Sequence, residues 1–203
     1  MFERRSALTP YLAAGGRDGA NGARTLRISE VRGWHLLQLA AFDARGTHFR
    51  DALAPLIGAE LPAAAGQQRP CNHGRILCLS RGQYWLDTHD AAWLADLSRA
   101  VPPQAGAATP LSHGRVRLAV DGAAARALLA KGIAVDLHPS VFRVGDFAQT
   151  ALHHTGVLLE RCAESRYELF AFRTYSASIW EWIIDAALPF GYDVRVEDIG
   201  DHK

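Results

Sequence analysis

One order of elements, strand, helix, strand, strand, helix, can be read twice along this chain, and it limits the available folds more than any other feature. In the first half, "WHLLQLAAF" is a strand and "THFRDALAPLIG" a helix interrupted by Pro55. "GRILCLS" and "YWLDT" are then two strands joined through Arg81-Gly82-Gln83. "AAWLADLSRAV" is a helix that Thr88 or Asp90 can cap. In the second half, "RVRLAVDG" alternates Val116, Leu118 and Val120 on one face, as a half-buried strand does. "AAARALLAKG" follows as a helix with Gly132 as its stop residue, "GVLLERC" and "YELFAFR" flank a turn at Glu164-Ser165-Arg166, and "SASIWEWIIDAALPFG" closes as a helix.

Tyr84 and Tyr167 lie about 83 positions apart and Trp93 and Trp180 about 87, close to the length of one such unit. The expected fold class is therefore α+β: two duplicated ferredoxin-like modules, each an antiparallel sheet with helices packed on it. The expected layout is a loose N-terminal arm over 1–24 and a first module over 25–101. A linker over 102–110 ("PPQAGAATP"), a second module over 111–193 and a C-terminal tail over 194–203 complete it.

Composition excludes several classes. A formal net charge of +1, carried by arginine with only Lys131 and Lys203 as lysines, makes no field suited to nucleic acid or to an acidic membrane. No apolar run approaches the roughly 20 residues that span a bilayer, and the N-terminus carries no convincing secretory pattern. Three cysteines, an odd number in a chain of 203 residues, fit a reducing, cytoplasmic setting.

Candidate chemistry is sparse. Cys71, His73 and Cys78 resemble a metal set, yet no second ligand pair follows, and Cys78 sits in an apolar strand where a thiol packs as a small hydrophobe. His153-His154, if on a strand, face opposite ways and cannot chelate together. Ser112-His113 lacks a nucleophile elbow, and "AAGGRDGANG" neither follows a strand nor opens a helix, so neither acyl transfer nor dinucleotide binding is indicated. No catalytic, cofactor-binding or metal-ligating residue is assigned.

Two places carry functional candidates. The loop Asp136-Leu137-His138-Pro139 offers Asp136 and His138 as an acid-base pair, against a loop-shaping aspartate with a surface histidine. On the last helix Trp180, Ile183, Ile184 and Ala187 share a core-facing side, while Trp182 projects elsewhere. Phe172, Arg173, Tyr175 and Trp182 thus form a candidate docking surface of the aromatic and arginine type that concentrates binding energy at interfaces.

"AARALLAKG" followed by "DLHP", Phe142, Gly145 and Gln149-Thr150, with Arg173 leading into a Trp-bearing helix, resembles the gamma subunit of heterotetrameric sarcosine oxidase. The chain departs from that pattern at Ile133, at Asp121-Gly122-Ala123 and at Tyr175. The resemblance implies a fold similar to the folate-binding domain of aminomethyltransferases such as the glycine-cleavage T-protein. It also implies a non-catalytic structural chain working with alpha, beta and delta subunits, which hold FAD, FMN, NAD, tetrahydrofolate and zinc. The implied reaction of the whole is oxidative demethylation of sarcosine, with the one-carbon unit passed to tetrahydrofolate. The alternative is a free-standing folate-dependent aminomethyltransferase-like protein, for which Asp121 and Asp136 are the central carboxylates.

Overall fold

The computed structural model describes residues 5–12, 15–43 and 47–199. The chain divides into two compact units: Gly33–Ser112, and the residues up to Arg32 together with those from His113 onward.

In the Gly33–Ser112 unit, β3 (His35–Ala41) leads through α1 (Thr47–Ile57) to the hairpin β4 (Gln68–Cys71) and β5 (Gly74–Ser80). β6 (Gln83–Thr88), α2 (Ala91–Ala100) and β7 (Gly106–Pro110) complete it. The sheet order is β4-β5-β6-β3-β7, antiparallel throughout. Without the β4 edge this is the ferredoxin-like βαββαβ arrangement. Its core takes alternate residues of the strands, Leu37, Leu39, Ile76, Cys78, Tyr84 and Leu86, against Phe49, Leu53 and Ile57 of α1 and Leu94 and Leu97 of α2. Helix α1 runs through Pro55 rather than breaking there, ending two residues later at the buried Ile57. Asp90 caps α2, its carboxylate accepting from the Trp93 N–H at 2.9 Å.

The other unit contains β1 (Gly15–Arg17), β2 (Leu26–Arg32), β8 (Arg115–Asp121), α3 (Ala125–Leu129), β9 (Phe147–Leu152), β10 (Thr155–Arg161), β11 (Arg166–Phe172), a 3-10 turn (Arg173–Tyr175), α4 (Ser176–Ala187) and β12 (Tyr192–Asp198). Its seven strands run β1-β12-β2-β8-β11-β10-β9. Among the described residues only the β12–β2 pair is parallel. β8, α3, β10, β11, α4 and β12 repeat the βαββαβ order, with β2 inserted between the first and last strands. Tyr84 and Tyr167 occupy the second position of β6 and of β11, and Trp93 and Trp180 lie on the corresponding helices α2 and α4. The pattern of two α+β modules thus stands in three dimensions.

The layout differs in detail. The stretch expected as a linker carries β7, and the expected tail carries most of β12; each is the closing strand of its module. β7 is a sheet edge of small residues ending in Pro110, a place where proline costs no ladder hydrogen bond. β12 is mostly exposed or half-buried, so it lacks the apolar alternation that marks a strand. β2, assigned by sequence to the first module, pairs with β8 and β12 of the second. The N-terminal segment is not loose where it is described: Leu8 is wholly buried in the core with Leu26, Ile28, Leu118 and Tyr167, and β1 pairs with β12. The rest of that arm, at 1–4 and 13–14, lies outside the described residues.

Helix α3 ends at Leu129, earlier than expected, and Gly132 does not adopt the left-handed conformation of a helix stop. A Cβ built on Gly132 would lie 2.4 Å from Cζ2 of the Trp182 ring. Glycine is needed here for close approach, not for its φ.

Candidate functional site

The end of β11 turns directly into α4, and this junction gathers the exposed large side chains that sequence singled out. Phe172, 47% exposed, pairs across the sheet with Arg115 of β8, whose guanidinium carbon lies 3.6 Å from the ring centroid. Burial pulls the pKa of Arg115 below the ordinary arginine value, and a guanidinium stays charged in proteins. The Arg173 N–H donates to the Gly114 carbonyl at 3.0 Å, and its guanidinium donates to the Arg5 carbonyl. Tyr175, 52% exposed, closes the 3-10 turn and precedes the first turn of α4.

Along α4 Trp180, Ile183 and Ala187 are buried as expected, Ile184 is only half-buried, and Ile179, not singled out in the sequence, is buried with them. Trp182 is also half-buried, seated on Gly132 and packed against the core. It lies seven residues beyond Tyr175, which stands outside α4 in the preceding 3-10 turn. Phe172 and Arg173 come together with Arg115 and its neighbour Gly114, Tyr175 follows them in the 3-10 turn, and Trp182 lies further along, on α4. Arg115 went unrecognised in the sequence because only the β8–β11 register sets it opposite Phe172.

The Asp136–His138 loop is organised for shape. The Asp136 carboxylate accepts from the His138 N–H at 2.8 Å, and the His138 ring Nδ1 lies 2.7 Å from the Ser140 hydroxyl. The carboxylate bonds the backbone of His138, not its imidazole, so the two do not form the acid-base pair that sequence allowed. Arg161, buried, donates to the Phe142 and Glu164 carbonyls at 2.8 Å each, and pins the loop from beneath.

Other candidates resolve similarly. His73 Nδ1 lies 3.1 Å from Asp90 and its ring stacks on Trp93, while Cys78 is buried in the core and its thiol pKa is pushed up by burial. Among the described residues no three His, Cys, Asp or Glu side chains gather as a metal-ligand set. His153-His154 are not strand residues that face apart: they form the two-residue turn of the β9–β10 hairpin, with His153 at φ 55 and ring centroids 3.8 Å apart.

A buried charge network on β8, β11 and β12 was also missed. Arg117 donates to Glu168 at 2.6 Å, and Arg166 bonds Glu168 and Glu197 at 2.8 Å each. Burial alone would lift the Glu168 carboxyl, but the two guanidinium groups hold it below the ordinary carboxylate range. The signal was present: Arg117 and Glu168 each interrupt an apolar strand, and the register makes them diagonal neighbours.

Comparison with known proteins places this architecture. Over 189 residues the chain is 31% identical to sarcosine oxidase subunit gamma of Corynebacterium sp. (strain U-96), covering 92% of this chain and 91% of that one. The chain belongs to the sarcosine oxidase gamma subunit family. The sequence profile described as "Sarcosine oxidase, gamma subunit family" matches residues 102–188 of this gamma-family chain. The gamma subunit of Arthrobacter sp. is 30% identical over 141 residues, covering 68% of this chain and 70% of that one. A chain of the heterotetrameric sarcosine oxidase from Corynebacterium sp. U-96, solved in complex with pyrrole 2-carboxylate, superposes with a TM-score of 0.77 at 29% identity. That match covers 92% of this chain and 96% of the other. Aminomethyltransferase T of the glycine cleavage system from Bartonella henselae shares the fold at a TM-score of 0.66 and 14% identity, covering 96% of this chain and 60% of the other. Among the described residues no helix is long and apolar enough to cross a membrane.

Proposed function

We propose that this chain is the non-catalytic gamma subunit of a sarcosine-oxidase-type complex, cytoplasmic, and that it serves by docking on its large subunits. The observation that carries this reading is the match, over nearly the full length of both chains, to a chain of a heterotetrameric enzyme. Alpha, beta and delta subunits would hold FAD, FMN, NAD, tetrahydrofolate and zinc, and would together demethylate sarcosine oxidatively and pass the one-carbon unit to tetrahydrofolate. The docking surface comprises Arg173, Tyr175 and Trp182, with Phe172 and Arg115 beside Arg173. Its aromatic and arginine make-up is the kind that anchors interfaces.

The free-standing transferase reading needs a carboxylate free to act. The Asp121 carboxylate accepts from the Ser165 hydroxyl at 3.2 Å and lies 3.9 Å from Arg27, and Asp136 holds the His138 N–H. Both carboxylates are engaged in local structure, which favours the subunit reading.

The test is capture of the tagged full chain from cells co-expressing its flavoprotein neighbours. The subunit reading expects a yellow eluate containing the large subunits, and a colourless chain when it is expressed alone. A chain that elutes alone from the co-expressing cells contradicts it. Titration with tetrahydrofolate separates the alternative, since micromolar binding by the isolated chain would favour the transferase.

A further inference from the structure

Trp182 of α4 lines a groove. A cavity of about 380 Å³, open on one side, lies between α4 and the β9–β10 hairpin, lined by Trp182, Glu181, Asp185, Ser178, His153 and Thr155. Its aromatic wall is fixed in place, because the Trp182 ring rests where Gly132 has no side chain. Glu181 and Asp185 stand one helical turn apart, an (i, i+4) pair of like charges with Cβ atoms about 6 Å apart. Among the described residues neither takes part in an ion pair. The nearby cation Lys131 is directed elsewhere, to the Ala186 carbonyl at 2.6 Å and over the Phe190 ring.

Like charges one turn apart work against the helix that carries them, and an exposed indole face attracts cations. Together they define the chemistry that would satisfy both: a planar cation stacking on Trp182 while its edge donates to two carboxylates. A guanidinium has that shape, with five donors in a fixed fork and a flat face for stacking, whereas an ammonium offers only a point charge. A groove open along a helix also suits a side chain entering from a neighbouring surface better than a free metabolite, which pockets enclose over most of its area. We infer that this groove receives an arginine side chain from an adjoining subunit. The inference rests on the subunit reading above and names the partner chemistry of the same surface.

The experiment measures the affinity of the full chain for the co-expressed large subunits across a series of salt concentrations. The variants are Glu181→Gln/Asp185→Asn, which keeps shape, and Glu181→Lys/Asp185→Lys, which reverses charge. Asp96→Lys, on the exposed side of α2, is the control. The neutral pair is expected to weaken binding about tenfold and to flatten its salt dependence, and the reversed pair to weaken it further, with Asp96→Lys unchanged. Thermal unfolding of the neutral pair stays at or above the parent value, because a repulsion within α4 has been removed. Trp182→Phe retains part of the affinity that Trp182→Leu loses. Binding by both double variants within twofold of the parent, at unchanged salt dependence, overturns the arginine assignment while leaving the subunit reading intact. Failure of the parent chain itself to bind overturns both.

Discussion

Removing the Glu168 carboxylate should be the most damaging single change within the sheet of the larger unit. The Arg117 and Glu168 side chains are only 9% and 6% exposed and lie 2.6 Å apart. Glu168→Ala leaves the Arg117 guanidinium buried without this carboxylate, and breaking a buried pair from one side costs about 3–5 kcal/mol. Arg166 retains Glu197 at 2.8 Å and contributes less to the loss. Replacing both partners by apolar residues of similar volume, Arg117→Met with Glu168→Leu, removes the uncompensated charge and should return stability to within about 1 kcal/mol of the parent. Urea unfolding followed by far-UV circular dichroism reads both. The pH dependence carries a second signature. Glu168 has a folded pKa below its unfolded value of about 4.5, so its stabilisation is present above that value and is lost as pH falls through the folded pKa. Glu168→Gln should therefore flatten the acid limb of the stability curve. A cost below about 1 kcal/mol for Glu168→Ala, with the acid limb unchanged, would refute the reasoning, since it would mean that water already reaches Arg117.

Three further outcomes follow from the packing. Trp180→Ala, at 4% exposure, should cost about 3–5 kcal/mol in chemical unfolding, and the half-buried Trp182→Ala about half as much. Gly132→Ala should lower the thermal midpoint, because the new methyl meets the Trp182 ring, and pairing it with Trp182→Leu should recover most of the loss. The Asp90 carboxyl is held below its ordinary value chiefly by the Trp93 N–H. Asp90→Ala should therefore lower the thermal midpoint at neutral pH, and the difference from the parent should shrink as pH falls through the titration of that carboxyl.

What the sequence made legible was the set of elements with strong local signals. β8 alternates Val116, Leu118 and Val120, α2 has an aspartate cap, and α4 carries a full apolar stripe, so each could be placed from its own residues. The closing strands could not, because β7 is built of small residues at an edge and β12 of charged ones, and neither pattern distinguishes a strand from a linker. Pairing partners were equally hidden: nothing near Leu26–Arg32 says that it lies beside residues 115–121 and 192–198. At the surface, the aromatic and arginine residues of the α4 junction were recognisable by type. The wall of Trp182 and the acid pair beside it appeared only once Gly132 and the β9–β10 turn had been brought alongside.

The most direct measurement is the native mass and the sarcosine-oxidising activity of the particle captured from cells that express this chain with the proposed large subunits. The subunit reading predicts one copy of this chain in each particle, and loss of the intact assembly when the chain is omitted. A particle of full activity and unchanged composition in its absence would contradict that reading.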